Sequence, residues 1–223
     1  MKLARLAVLG AAFVAAGAGP ARAGQASLGL RAGSTGLGVE LGVSITPIFG
    51  VRGGGYFFNY GRTQEESDIS YDVDLHLRSF AGFLDLHPLG GSFRLTGGVF
   101  YNQNRAEGVG IPTGGTYTIN GVAYPSAAVG NLTAEARAER DWAPYLGLGF
   151  GTSHGTGRVF FIFDAGVVFQ GRPFVVLDAT GVLAGFPPFQ ANLQAEENDV
   201  NEDLDDSLYQ YYPLVSFGVG FRF

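Results

Sequence analysis

The side chains with chemistry to offer in this 223-residue chain are charges placed at every second position of otherwise apolar stretches. Glu40 lies between Val39 and Leu41, Arg94 between Phe93 and Leu95, Asp164 between Phe163 and Ala165, and Arg222 between Phe221 and Phe223. Asp72, Asp74, His76 and Arg78 alternate with Tyr71, Val73, Leu75 and Leu77, while Glu135, Arg137, Glu139 and Asp141 follow one another at spacing two beside Ala134, Ala136 and Ala138. In a strand this spacing puts each set on one face. Together with Arg52 they read as an inward-facing set of both signs. An unpaired enclosed ion costs about several kcal/mol, so the expectation is a salt-bridge network that fills an interior, with a gated polar pathway as the alternative. Arg52, Arg94, Arg158 and Arg222 also lie near expected turns, where guanidinium groups snorkel to an interface.

Nucleophilic catalysis finds little support. It needs a nucleophile within reach of a base, and the only histidines are His76, His87 and His154. Ser79, three residues after His76, points to the opposite strand face. Glu196, Glu197, Asp199, Glu202, Asp203, Asp205 and Asp206 are oxygen ligands of the kind calcium takes, but no EF-hand turn accompanies them. Leu193, Val200, Leu204 and Leu208 recur at helical spacing, so this stretch reads as a short amphipathic helix with a solvated acidic face. Neither a cofactor nor a metal is implied, and the chain reads as a non-enzyme.

The elements that must position the charges are strands. Thirty-six glycines disfavour long helices, and no cysteine is present for disulfides or thiolate ligands. Met1 to Arg5 is basic, Leu6 to Gly17 apolar, and Ala21-Arg22-Ala23 a small-residue close, which is the layout of a cleaved signal peptide over residues 1–23. Its removal takes away Lys2, Arg5 and Arg22 and moves the formal net charge from −6 to −9, leaving no lysine. An acidic chain without a basic tract argues against nucleic-acid binding.

Residues 24–223 then read as one domain. Leu37, Val39, Leu41, Val43 and Ile45 alternate with small or charged residues, and Tyr211 to Phe223 repeat the pattern. A secreted sandwich also alternates. Aromatic residues near strand ends, among them Tyr56, Tyr60, Tyr101, Trp142 and Tyr211, suit the interfacial girdles of a membrane barrel instead, and no later stretch is long and apolar enough for a membrane helix. Strands are expected over about 25–33, 35–45, 50–61, 71–86, 93–106, 132–152, 158–170 and 209–223, joined alternately by short turns and by long loops over about 62–70, 107–131 and 171–208. The fold class is therefore an all-β, eight-stranded antiparallel up-and-down transmembrane barrel, with its long loops extracellular. Pro173 to Gly181 reads as a strand extension within the last loop, and Asn120-Gly121 as a tight hairpin.

Residues 209–223, closing on Phe-Arg-Phe, resemble the carboxy-terminal signal of bacterial outer-membrane barrels, in which Phe217, Val219, Phe221 and Phe223 are read by the barrel-assembly machinery. With the leader, the length and the strand count, the chain resembles the small OmpA-like and OmpW-like barrels. The resemblance implies the outer membrane of a Gram-negative bacterium and contact with its lipid and lipopolysaccharide. It implies a structural or surface-interaction role through the loops, with a narrow channel for small solutes as the alternative and a lipid-modifying enzyme behind that. It names no surface ligand.

Overall fold

Apolar, β-branched and aromatic residues at every second position commit a whole strand face to one environment, and the structure resolves which. The computed structural model describes residues 25–66, 69–89, 91–112, 115–151, 158–204 and 210–223. The expected signal peptide, the turn Ser153 to Gly157 with His154, and Asp205, Asp206, Leu208 and Tyr209 lie outside the described residues.

Eight strands form a closed antiparallel ring: β1 (Ala26–Gly33), β2 (Gly36–Ser44), β3 (Phe49–Glu66), β4 (Ile69–Leu86), β5 (Phe93–Asn102), β10 (Trp142–Phe150), β11 (Val159–Phe169) and β13 (Tyr211–Arg222). The last strand closes on the first, with Leu28 opposite Phe221 and Leu30 opposite Val219. The polarity is inside out: Phe161 is 81% and Leu146 64% exposed, whereas Arg94 and Asp164 are 2% and 3% exposed. The exterior is an apolar band that includes Leu37, Val39, Leu41, Leu84, Phe150, Phe163 and Phe217, and no helix among the described residues is long and apolar enough to cross a membrane.

At one end the connections are short. At the other the wall continues upward on one side only. β6 (Arg105–Pro112) follows β5 after Gln103 and Asn104, β9 (Leu132–Ala138) precedes β10, and β12 (Pro173–Ala179) follows β11 beyond Gly171. The upper half of β4 pairs with β6, β6 with β9 and β9 with β12. Pro173 to Ala179 is thus an extension above the ring.

The outward face changes character along β3 and β4. Phe57 and Phe80, which meet edge to face outside the wall, are followed upward on the same face by Asn59 and Arg78, then His76 and Asp74, with the pairing register unbroken from Phe49–Leu86 to Glu66–Ile69. Above the apolar band the outside is water, so polar residues take the outer face and Leu75 and Leu77 the inner one.

A small module closes over the extension. β7 (Thr116–Ile119) and β8 (Val122–Pro125) make a hairpin whose tip, Asn120 at φ 49° and Gly121 at φ 70°, has the two positive angles of a type I′ turn. The hairpin packs on α1 (Ser126–Val129) and α2 (Pro187–Asp203), burying Tyr117, Ile119, Val129, Ala179, Phe189 and Leu193. α2 also covers the sheet edge at β12. Asn201 Oδ1 accepts the Val175 N–H at 2.7 Å while its Nδ2 donates to the Val175 carbonyl at 2.9 Å, and Glu197 accepts the Leu177 N–H at 2.8 Å. Edge groups that would otherwise template another strand are satisfied by side chains.

Candidate functional site

Six of the eight ring strands each contribute one charged side chain to a single ionic layer in the lower half of the lumen. These are Arg31 from β1, Glu40 from β2, Arg52 from β3, Asp85 from β4, Arg94 from β5 and Asp164 from β11. Arg31 bridges Glu40 and Asp164, both at 2.6 Å. Arg52 lies 2.6 Å from Glu40, 2.5 Å from Asp85 and 3.5 Å from Asp164. Arg94 lies 2.7 Å from Asp164 and 3.6 Å from Asp85. Three guanidinium groups thus meet three carboxylates. Remaining acceptor positions are used as well: Thr96 donates to Asp85 at 2.8 Å, Tyr56 donates its hydroxyl to Glu40, and Arg94 donates to the Gly151 carbonyl.

The two strands outside this ionic layer, β10 and β13, bring space. A Cβ on Gly149 of β10 would lie 2.5 Å from Asp164 Oδ1 and 2.8 Å from Arg94 Nε, and one on Gly218 of β13 would overlap the Leu30 carbonyl and lie 2.9 Å from Arg31 Cδ. Arg31 therefore passes over the last strand to reach Asp164 beyond it, clasping the seam where the barrel closes.

Toward the loop end the lumen turns apolar. Tyr56, Phe83, Phe100, Ala143, Tyr145, Val168 and Leu214 bury together. Phe83 meets Phe100 and Tyr145 edge on, each at 5.5 Å between centroids, and Arg52 sits 4.8 Å over Phe83, joining the two layers. Between them lies a cavity of about 10 Å³, and below the ionic layer one of about 20 Å³ beside His87 and Phe160. Each has room for about one water and none for a hydrated ion. Arg222 closes the lower end, 4.2 Å over the Phe160 ring.

Glu40, Arg52, Arg94 and Asp164 of this cluster are among the expected inward charges; Arg31 and Asp85 are not. Both carried the same signal, a single charge within an apolar alternation: Arg31 lies between Leu30 and Ala32, Asp85 between Leu84 and Leu86. Arg52 and Arg94 belong to the buried network and do not snorkel to an interface near the turns. Asp72, Asp74, His76 and Arg78 are corrected from the lumen to the outer face of the extension, because the polarity of β4 inverts above the band. Glu135 and Arg137 join them there, paired through β6 with the outer face of β4. The break at residues 139–141 shifts the phase between β9 and β10, which placed this run on the wrong side when it was read as one strand. Glu139 accepts the Arg172 N–H at 3.1 Å, and Asp141 is exposed at the start of β10. His76 Nδ1 lies 3.2 Å from Asn59 Oδ1, away from Ser79, which is buried on the opposite face. Among the described residues no group of three or more side chains is placed to hold a metal ion. The acidic stretch is indeed helical through Asp203.

No protein-family model and no curated protein matches the chain. Solved structures do. The crystal structure of CarO2 from Acinetobacter baumannii aligns with 90% of this chain and 99% of its own at 19% identity and a TM-score of 0.59. That of CarO from the same organism aligns with 89% and 97% at 21% identity and a TM-score of 0.56. The fold is the eight-stranded outer-membrane barrel. A major outer membrane protein from Thermus thermophilus aligns with 90% of this chain and all of its own at 15% identity and a TM-score of 0.45.

Two tyrosines of the barrel separate hydrogen bonding from packing. Tyr56→Phe removes a hydroxyl given to a buried carboxylate and is expected to cost about 1.5–3 kcal/mol in urea unfolding from lipid vesicles. Tyr145→Phe removes a hydroxyl with no hydrogen-bond partner among the described residues and is expected to change stability by no more than about 0.5 kcal/mol.

Proposed function

We propose that this chain is an exported barrel of a Gram-negative outer membrane, closed through its lumen, whose working part is the module held outside the cell for surface interaction. The observation that carries this reading is the module's own core. Phe189 and Val129 are fully buried in it, far from the lumen, so the loops are folded into a body rather than left as connections. The barrel interior supports a scaffold role, since the gaps between and below its ionic and aromatic layers described above are water-sized. Residues 1–23 as a cleaved leader belong to the same proposal. So do Phe217, Val219, Phe221 and Phe223 as the signal for the barrel-assembly machinery; in their favour, all four are exposed on the outer face of the last strand. Lipid-modifying chemistry is not supported, as His76 and Ser79 stand on opposite faces.

Two measurements test the reading. In planar bilayers the protein is expected to show no ordered conductance; stable openings abolished by Glu40→Gln or Asp164→Asn would favour the narrow channel instead. A peptide tag inserted at Gly121, where the space around a Cβ is open, is expected to be labelled on intact cells. Labelling only after the outer membrane is permeabilised would reverse the orientation.

A further inference from the structure

The outer face of the extension carries charge in stripes. His76, Arg105 and Arg137 stand opposite one another on β4, β6 and β9, and so do Asp74, Glu107 and Glu135 one step farther from the barrel. Like charges directly opposite on neighbouring strands destabilise a sheet, and a checkerboard would have avoided them. The opposition is offset only along each strand, where Arg105 Nε lies 3.0 Å from Glu107 and Arg137 Nε 2.9 Å from Glu135. The two arginine side chains remain about half exposed, 51% and 50%. The result is a field with a fixed direction, positive next to the apolar band and negative away from it.

The height of the stripes is set by their neighbours. Arg78 lies over the Phe80 ring at the top of the band, and the exposed Trp142 packs against Tyr101 at 5.0 Å on the same side, as interfacial aromatics do. Arg105 is four residues beyond Tyr101, about 13 Å along a strand and less in height once the strand is tilted. The pattern is one-sided, since across the barrel the described residues at this level are Ser34, Thr35, Gln210, Tyr211 and Tyr212, all uncharged.

We infer that this face docks phosphorylated lipid headgroups of the outer leaflet. The Arg105 and Arg137 level, with Arg78 one step below it on β4, receives phosphate, and the Asp74, Glu107 and Glu135 level faces the cationic groups or divalent ions that lie outside the phosphates. This rests on the reading of the loop end as external. Sign and order both match: lipid phosphate sits at the hydrocarbon boundary and its countercharge farther out, which is the order of the stripes reversed in sign. Arginine offers planar forks suited to phosphate, and every cation of the extension other than His76 is arginine. A second copy in the same membrane would present the same sign at the same height, so the stripes repel self-association on this face.

The experiment compares the midpoint of heat-induced unfolding on gels for protein in dodecyl maltoside micelles, a phosphate-free surface, with and without bis-phosphorylated lipid A. Wild type is expected to gain several degrees from lipid A. A stripe-swapped variant, R105E/E107R/E135R/R137E, keeps the ion pairs along each strand and is expected to fold in micelles but to lose its own gain from lipid A. If the swap fails to fold, R105Q/R137Q is expected to lose the gain alone. An equal gain in these variants, or none in wild type, overturns the inference. Inorganic phosphate added to the micelles is expected to give no shift, and a full shift there would assign the face to free anions rather than to lipid. The Gly121 tag reports orientation independently, so an inverted barrel and an indifferent face are told apart.

Discussion

Asp164→Ala is expected to cost about 3–5 kcal/mol, the range for breaking a buried ion pair from one side. Asp164 touches all three lumenal arginines, at 2.6, 3.5 and 2.7 Å from Arg31, Arg52 and Arg94. Without it three guanidinium groups share two carboxylates in a space with room for about one water in each gap. Neither Glu40 nor Asp85 can take over, because both are already engaged by Arg52. Urea unfolding of vesicle-reconstituted protein measures the loss. Glu107→Gln, which breaks a half-exposed pair, is the comparison and is expected to cost about 1 kcal/mol or less. An unchanged midpoint for Asp164→Ala would mean that water reaches the arginines freely, and the closed lumen would fall with it.

Gly218→Val is expected to abolish the folded, heat-modifiable species altogether. A Cβ there would overlap the Leu30 carbonyl and press on the Arg31 stem, and a backbone atom cannot turn aside as a side chain can. The clash falls where β1 meets β13, so it opposes closure of the ring rather than the stability of a closed one. Gly82→Val is the control: a Cβ at Gly82 meets nothing within 4 Å, and this variant is expected to fold normally. A folded Gly218→Val with an intact mobility shift would show that the seam can spread by more than the ionic clasp allows.

The ring itself was legible because a period of two leaves no ambiguity where one face meets lipid: each expected segment corresponds to a ring strand, and Pro173 to Ala179, expected as an extension within the last loop, pairs with β9 above the ring. The Asn120-Gly121 tip announced its hairpin through the positive φ that both residues tolerate. Four of the six members of the ionic cluster could be named for the same reason. Asp72, Asp74, His76 and Arg78 were misplaced because polarity was taken as a label for inside. That equation holds only while the outside is hydrocarbon. His76 and Asp74 lie beyond that limit, and no feature of β4 marks the crossing, since the strand neither breaks nor bulges there. The role of α2 was also hidden. Asn201 and Glu197 look like solvated helix residues until the open edge of β12 is beside them, and strand edges are a property of the assembled sheet.

The uninterrupted passage from Phe80 to Arg78 has a mechanical consequence. One strand pair belongs to two solvents with no hinge between them, so the barrel carries a fixed waterline. Sinking by one step would carry Arg78 into hydrocarbon, where an arginine near the midplane costs about 2–4 kcal/mol and less toward the surface, and rising by one would strip lipid from Phe57 and Phe80. A bilayer of different thickness must therefore stretch or thin around the wall, or the barrel must lean. Because the tall, charged side is only one flank, leaning is not free in every direction. The molecule has a preferred azimuth as well as a preferred depth.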